Sequence, residues 1–152
     1  MIEKKPKIAI SIGDLNGIGI EIALKCHEKI SKICTPIYCI NNKMLKLASE
    51  ELKIQIPNDF EIFKTKGEFE IKPGIVSKKS GRYSYDSFMD AINLAKNNEV
   101  DAICTLPINK EAWNKANIKY KGHTEVLRDF FGKNAIMMLG CKKMFVGLFT
   151  EH

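Results

Sequence analysis

Two short polar segments carry residue types that bind small charged molecules. The segment Cys104 to Lys110 (CTLPINK) ends a hydrophobic run at Pro107 and continues into an amide and a lysine. The segment Gly122 to Glu125 (GHTE) places one of three histidines beside a threonine, ahead of a helical pattern. Polar groups that follow the end of a strand mark ligand sites in open α/β sheets. We therefore predict that residues 105–125 form the rim of a substrate site.

His123 and Thr124 are the most chemically suggestive pair in this rim. A histidine donates or accepts hydrogen bonds and titrates near neutrality. A threonine at a helix start offers a hydroxyl beside backbone N–H groups that attract anions such as phosphate. Taken alone, however, a capping threonine and a surface histidine explain this spacing slightly better than a ligand site does.

A glycine-rich loop, Gly13 to Gly19 (GDLNGIG), follows the first predicted strand. Its glycines have neither the G-x-G-x-x-G spacing of a dinucleotide-binding turn nor the Gly-Lys-Ser/Thr ending of a P-loop. Two interpretations are equally supported by spacing. The loop is a tight turn in which Gly17 and Gly19 permit positive φ and close packing, or it faces a ligand through Asp14 and Asn16.

No complete catalytic or metal-binding arrangement exists within these residues. The histidines are His27, His123 and His152, and none forms an H-E-x-x-H pattern. Zinc needs three or four ligands, so a single histidine is not a site. No Ser/His/Asp or Cys/His arrangement can be assembled, and the sequence identifies neither a general base nor the cofactor contacts. His27 is interpreted as a surface residue or as satisfied packing.

Hydrophobic periodicity predicts alternating strands and helices. The order strand–loop–helix–strand–helix over the first 52 residues implies parallel pairing through crossover helices. Residues 54–79 are irregular and predict only short edge strands and loops. The predicted strands are 7–12, 36–40, 100–105, 135–139 and 144–150, and the predicted helices are 20–33, 42–52, 85–95, 109–116 and 124–131. Asn41-Asn42 and Asn109 are candidate N-caps, and Gly132 stands where glycine favours the end of a helix.

Composition excludes several classes of protein. The net charge of +6 comes from 24 basic residues, nearly all of them scattered lysines, whereas nucleic-acid surfaces usually show arginine-bearing clusters. The five cysteines are odd in number and lack CxxC spacing. Because most lie in or beside hydrophobic runs, they predict reduced, buried thiols in a cytoplasmic protein. No hydrophobic run approaches a membrane span. The chain stops directly after a predicted strand, which favours a truncated fragment.

Taken together, the segments resemble one family, the 4-hydroxythreonine-4-phosphate dehydrogenases of pyridoxine (vitamin B6) biosynthesis. The resemblance covers nearly all 152 residues and corresponds to the N-terminal half of that family. Its most specific part is the pair Thr-x-Pro-Ile-Asn-Lys and Gly-His-Thr-Glu. The matching segments are Gly13-Asp14, Gly17 to Ile22, Ser80 to Arg82, Asp101-Ala102, Thr105 to Lys110, Gly122 to Glu125, and Met138-Leu139 with Leu148, Thr150 and His152.

The resemblance implies an oxidoreductase. This family oxidises the secondary alcohol of 4-phosphooxy-L-threonine with NAD or NADP, and the 3-oxo acid product then loses carbon dioxide. It implies His123 and Thr124 as substrate-binding residues and His152 as the first of three metal-binding histidines. The divalent metal is expected to be zinc, with magnesium or cobalt as alternatives. Asp14, Asn109 and Lys110 are candidate cleft residues, and Lys110 is a candidate for neutralising the substrate phosphate.

The resemblance also implies an architecture. We expect the α/β fold of isocitrate and isopropylmalate dehydrogenases, with a mostly parallel sheet, flanking helices and an incomplete two-domain arrangement. Residues 1–121 would belong to the first domain and residues 122–152 would begin the second. A homodimer that shares its active sites is expected, with no nucleic-acid or membrane partner.

Two other functions stay open. The chain is a catalytically silent N-terminal fragment, or it belongs to a dehydrogenase of the same superfamily that acts on a related hydroxy acid. Leu15-Asn16 and Ile20 stand where the family usually carries proline and alanine, which leaves the shape of the glycine-rich loop open.

Overall fold

The computed structural model describes residues 5–148 and forms two compact units, one ending at Lys119 and one beginning at Tyr120. The first unit contains four strands and four helices among these residues. They are β1 (Lys7–Ser11), α1 (Gly19–Ile30), β2 (Thr35–Cys39), α2 (Asn42–Leu52), β3 (Ile62–Phe63), α3 (Lys78–Lys96), β4 (Ala102–Thr105) and α4 (Lys110–Lys115).

The four strands form a parallel sheet in the order β3-β2-β1-β4. Ile10 of β1 lies between Tyr38 of β2 and Cys104 of β4, so the three strands are in register through their centres. The prediction of an α/β fold with a mostly parallel sheet and flanking helices is confirmed.

Each face of the sheet is covered by helices, as a parallel sheet requires. On one face, Ile10 and Ile12 pack with Ile20 and Leu24 of α1 and Met44 of α2. On the other face, Ala9 and Cys39 pack with Ala91 and Leu94 of α3. This alternation follows from the two-residue period of the strands. Burial raises the pKa of the Cys39 thiol to about 12, so this cysteine is not a nucleophile.

Three asparagine and serine side chains fix where helices begin. The side chains of Asn41, Ser77 and Asn109 accept hydrogen bonds from Met44, Ser80 and Ala112 N–H at 2.9, 3.0 and 2.9 Å. Such caps satisfy backbone donors that a helix start leaves unpaired. The predicted caps at Asn41 and Asn109 are confirmed. The cap at Ser77 was missed, and α3 therefore begins seven residues before the predicted 85.

His27 joins α1 to β2. Its Nδ1 lies 3.0 Å from the Tyr38 hydroxyl, and its Nε2 lies 3.1 Å from Asp59. The Tyr38 ring stacks on Phe60 with their centroids 3.8 Å apart. Because the His27 side chain is 1% exposed, its role is packing, which decides between the two interpretations made from sequence.

The prediction of buried thiols is wrong for two cysteines. Cys104 and Cys141 are exposed, and Cys26 is half-buried. Cys104 is exposed because β4 is the outer strand of the sheet, so the hydrophobic run from Val100 to Leu106 is not enclosed on its outer side. Hydrophobicity alone does not distinguish an edge strand from a central one.

The second unit contains α5 (His123–Phe131) and an antiparallel hairpin of β5 (Met138–Cys141) and β6 (Met144–Gly147). Gly132 ends α5 with a φ of 62°, as its position predicted. The first hairpin strand begins three residues later than the predicted 135. The assignment of this unit to a second domain stays a prediction. Within residues 5–148, no helix is long and hydrophobic enough to cross a membrane.

Candidate functional site

The first unit has a topological switch point between β1 and β4. The chain passes from β1 to β2 on one side, and β4 is added on the other side of β1. The segments that follow β1 and β4 therefore leave the carboxyl edge of the sheet in different directions. Open α/β sheets bind ligands in the crevice that this divergence creates.

Backbone hydrogen bonds hold the glycine-rich loop against the segment after β4. Leu106 N–H donates to Ser11 O at 3.1 Å, and Asp14 N–H donates to Pro107 O at 2.9 Å. Gly13 lies between these contacts with a φ of 70°, and a Cβ placed there would be 2.3 Å from Pro107 O. The close approach and the positive φ both require glycine.

The sequence predicted positive φ at Gly17 and Gly19, which is wrong, because Gly13 is the glycine of this loop that has a positive φ. Close packing is confirmed at Gly19, where a Cβ would lie 2.9 Å from Ile12 O.

Asn16 attaches a third segment, residues 72–75, to the same edge. Its Oδ1 accepts from Lys72 N–H at 2.9 Å, its Nδ2 donates to Ile75 O at 2.7 Å, and its backbone oxygen accepts from Gly74 N–H at 2.8 Å. The sequence marked Asn16 as a polar ligand contact, whereas the structure uses it to anchor backbone. The sequence did not predict that residues 72–76 lie at this edge of the sheet. Its turn residues Pro73-Gly74 indicate a turn but not where that turn packs.

The three segments enclose a cavity of about 280 Å³. Its walls are mostly apolar, and three polar residues, Asp14, Asn16 and Asn109, are among those that line it. It is lined by residues 14, 16–18, 74–76 and 107–109. The cavity thus lies at the switch point, between the segments that follow β1 and β4, and it has the mixture of apolar walls and few polar groups that small-molecule sites show.

The structure brings two candidate cleft residues, Asp14 and Asn109, together at this cavity. Asp14 is 6% exposed, and its Oδ1 accepts from Asn16 N–H at 2.9 Å. Asn109 uses its Oδ1 to cap α4. Lys110 begins α4, is exposed and does not line the cavity. The ligand roles of all three stay predictions.

The other candidate pair lies in the second unit, at the start of α5. The helix begins at His123 and its N-cap is Gly122, which offers no side-chain bond, so Thr124 is not the cap. Glu125 instead accepts from Lys121 N–H at 2.7 Å. Burial lowers the pKa of His123 below its ordinary value of 6.5. The imidazole is therefore neutral at pH 7, with one nitrogen donating and one accepting.

No metal site is formed by the part of the chain that the structure describes. Among residues 5–148, no three side chains of His, Cys, Asp or Glu are close enough to hold an ion. His152, the candidate metal ligand, lies outside the described residues. These residues therefore do not by themselves fit the zinc centre that the resemblance implies.

Comparison with protein families finds one whose model matches residues 32–152, described as pyridoxal phosphate biosynthetic protein PdxA. The chain is 60% identical over 148 residues to a 4-hydroxythreonine-4-phosphate dehydrogenase of Sulfurimonas denitrificans, covering 97% of the chain and 48% of that protein. A relative of the same name from Campylobacter fetus is 58% identical over 147 residues, with the same coverage. The chain thus spans about half the length of the curated relatives it matches.

Solved structures also match this chain over about half of their own length. A 4-hydroxythreonine-4-phosphate dehydrogenase from Burkholderia phymatum superimposes with a TM-score of 0.82 at 28% identity, over 95% of this chain and 49% of that one. A putative enzyme of that name from Salmonella typhimurium gives a TM-score of 0.81 at 24% identity, over 95% of this chain and 50% of that one. The second similarity supports the fold alone.

Proposed function

Because the chain belongs to the PdxA family of pyridoxal phosphate biosynthetic proteins, we propose that it supplies one wall of the active site of a 4-hydroxythreonine-4-phosphate dehydrogenase. The family resemblance found in the sequence is confirmed, and the relatives' names make this an oxidoreductase family. The proposed reaction is oxidation of 4-phosphooxy-L-threonine to its 3-oxo acid, followed by decarboxylation. The proposed cofactor is NAD or NADP.

One observation carries this proposal. The segment of the first unit that belongs to the most specific part of the resemblance, residues 105–110, meets the glycine-rich loop at the switch-point cavity. Their convergence supports a shared role in ligand binding.

The residues of this chain would act by binding and orientation. A nicotinamide cofactor supplies the hydride acceptor. Neutral His123 would donate one hydrogen bond to a substrate oxygen, and the start of α5, where Gly122 provides no side-chain cap, would attract an anionic group. Lys110, exposed at the start of α4, is proposed to neutralise charge on the substrate. Fixed orientation of the reacting groups supplies much of an enzyme's rate.

We also propose a divalent metal, with zinc as the first candidate and His152 as one ligand. Such an ion, if bound, would polarise a hydroxyl or ketone of the substrate. Since residues 5–148 hold no set of ligands, the remaining ligands would come from protein outside this chain.

The second candidate function is a catalytically silent fragment. It is favoured by one observation, namely that the chain covers only 48% of its 60%-identical relative. In this case the 152 residues fold and bind part of a ligand but do not turn it over.

The proposal is tested with the product of the complete reading frame that encodes this chain. The protein is supplied with 4-phosphooxy-L-threonine, NAD and zinc, and both reduced cofactor and carbon dioxide are measured. The Sulfurimonas denitrificans relative serves as the positive control. Formation of both products supports the proposal, whereas a folded protein that forms neither rejects the substrate assignment. Activity of the complete product but not of the 152 residues alone identifies the chain as the silent half.

Replacing His123 by alanine in the complete product should raise KM for the phosphorylated substrate by roughly tenfold to a hundredfold. This range corresponds to the loss of a hydrogen bond to a charged group, about 1.5–3 kcal/mol. Because burial lowers the pKa of His123, the neutral form persists as pH falls through 6.5. Any change in wild-type KM that follows protonation of His123 should therefore occur only below pH 6.5.

The matched control for this substitution is Lys121→Ala. Lys121 is exposed and lies two residues before His123. Its side chain is not assigned to the site, so its removal should leave both kinetic constants unchanged. If His123→Ala and Lys121→Ala behave alike, His123 does not bind the substrate.

A homodimer is also proposed, and the hairpin of the second unit supports it. Met138, Leu139, Met144 and Phe145 are each 59–66% exposed. Hydrophobic side chains clustered at a surface mark places where another protein surface binds. Light scattering after gel filtration should give twice the monomer mass for the complete product, and Phe145→Lys should lower it. A wild-type monomer at micromolar concentration would contradict the proposal.

A further inference from the structure

Asp14 is a nearly buried residue whose second carboxylate oxygen has no protein partner within residues 5–148. Asp14 is 6% exposed, and its Oδ1 accepts a hydrogen bond from Asn16 N–H at 2.9 Å. Oδ2 has no hydrogen-bond or ion-pair partner within residues 5–148. Oδ2 is not one of the buried polar atoms that lack a partner, and Asp14 lines the switch-point cavity, so this oxygen is accessible there. A bound group of positive charge would pair with it.

The residues that line the cavity beside Asp14 disfavour an anionic ligand. Of the described residues that line it, none is lysine, arginine or histidine, and Ile18, Ile75 and Ile108 provide apolar walls. A phosphate placed here would meet a carboxylate and no cation, so the site disfavours anions. An apolar wall with one carboxylate instead suits a cation that is only weakly hydrated.

Asn109 favours a ligand that carries an oxygen able to accept a hydrogen bond. Its Oδ1 accepts from Ala112 N–H at 2.9 Å, so the N–H groups of its amide are the part that remains for a ligand. Those groups need an oxygen acceptor. The cavity therefore fits an organic group that carries a positive charge and, close to it, an oxygen.

We propose that the switch-point cavity is a subsite for an organic cation and that Asp14 is its counterion. This inference rests on the proposed function, which supplies two groups with this chemistry. One is the ammonium group of the amino-acid substrate, with its carboxylate nearby. The other is the oxidised nicotinamide ring, with its carboxamide oxygen. A divalent metal is a poorer match, because Ca²⁺ or Mg²⁺ requires about six oxygen ligands.

The test is Asp14→Asn in the complete gene product. Asparagine keeps the Oδ1 acceptor for Asn16 N–H and the side-chain size, and it removes only the charge. Binding of NAD⁺ and of NADH is measured by calorimetry, since the two differ in the charge of the nicotinamide ring. KM for the phosphorylated hydroxythreonine is measured in parallel.

Two outcomes support the proposal and separate the two cations. If the ring occupies the cavity, Asp14→Asn weakens NAD⁺ about tenfold and leaves NADH unchanged. If the ammonium group occupies it, KM for the substrate rises about tenfold, and both cofactor affinities stay the same. A tenfold change corresponds to about 1.4 kcal/mol. The control is Asp101→Asn, at the amino end of the sheet, where Asp101 accepts from Lys7 N–H at 2.7 Å and no change is expected.

Two outcomes overturn the proposal. Asp14→Asn changes none of the three constants, or it weakens NAD⁺ and NADH equally, which would indicate damage to the loop. If Asp14→Asn does not fold, Ile75→Lys provides a second measurement. Ile75 lines the cavity and is 55% exposed, so a lysine there adds a positive charge beside the subsite and should weaken binding of the cation, whereas unchanged or tighter binding would overturn the proposal. A wild-type protein that binds neither cofactor nor substrate instead rejects the proposed function.

Discussion

Substitution of Gly13 by alanine should lower activity of the complete gene product by roughly a hundredfold. The new Cβ would lie 2.3 Å from Pro107 O, at a residue whose φ is 70°. The glycine-rich loop must therefore move away from the segment after β4, and the 2.9 Å bond from Asp14 N–H to Pro107 O is lost. Displacing a binding residue by about 1 Å costs on the order of a hundredfold in rate.

The same substitution should lower the free energy of unfolding by about 3 kcal/mol, from positive-φ strain together with steric overlap. Gly17→Ala is the matched control in the same loop. A Cβ at Gly17 would have one neighbour, Asp14 O at 3.3 Å, and no positive φ is required there. Comparable kcat/KM for the two alanine variants would show that the loop tolerates displacement and does not position the site.

Substitution of Gly81 by alanine should destabilise the first unit about as much as Gly13→Ala does. A Cβ at Gly81 would lie 2.0 Å from Ala112 O and 2.9 Å from Trp113 N. Because both contacts are with backbone, α3 and α4 must separate. This separation also strains the 2.7 Å bond from Trp113 Nε1 to the Ser84 hydroxyl. We expect a loss of about 3 kcal/mol.

This loss corresponds to a fall in Tm of roughly 10 °C for a protein of this size. Differential scanning calorimetry measures it. The control is Gly147→Ala, since a Cβ there has nothing within 4 Å and no positive φ is involved. A Tm for Gly81→Ala within 2 °C of the control (about 1 kcal/mol or less) would mean that the helices can separate without cost, contrary to the packing described.

Most of the first unit could be predicted from the sequence because its signals are local. The β1 run has strand character, and Asn41 and Asn109 carry caps whose bonding partners lie three residues away. The glycine-rich loop was recognisable, but its glycine requirements were not. Gly13 needs glycine because of Pro107, which lies more than ninety positions along the chain. Only the folded chain shows that proximity.

The wall made by residues 72–76 could not be predicted for the same reason. Its position depends on Asn16, whose side chain reaches across 56 to 59 positions of sequence. The exposure of Cys104 also could not be predicted, because it depends on the strand order, which places β4 at the edge of the sheet formed by the described residues. Hydropathy carries no information about that order. Local periodicity predicts elements, whereas the cavity arises from contacts between segments distant in sequence.

The most direct measurement of the central claim, that the carboxyl edge of this sheet binds the reactants, is amide hydrogen exchange of the complete gene product. Exchange is compared with and without NAD⁺ and 4-phosphooxy-L-threonine. The account predicts slower exchange in residues 13–19, 72–76 and 105–110, and no change at the amino end of the sheet near Lys7 and Asp101. Protection confined to other parts of the protein, with these three segments unchanged, would contradict it.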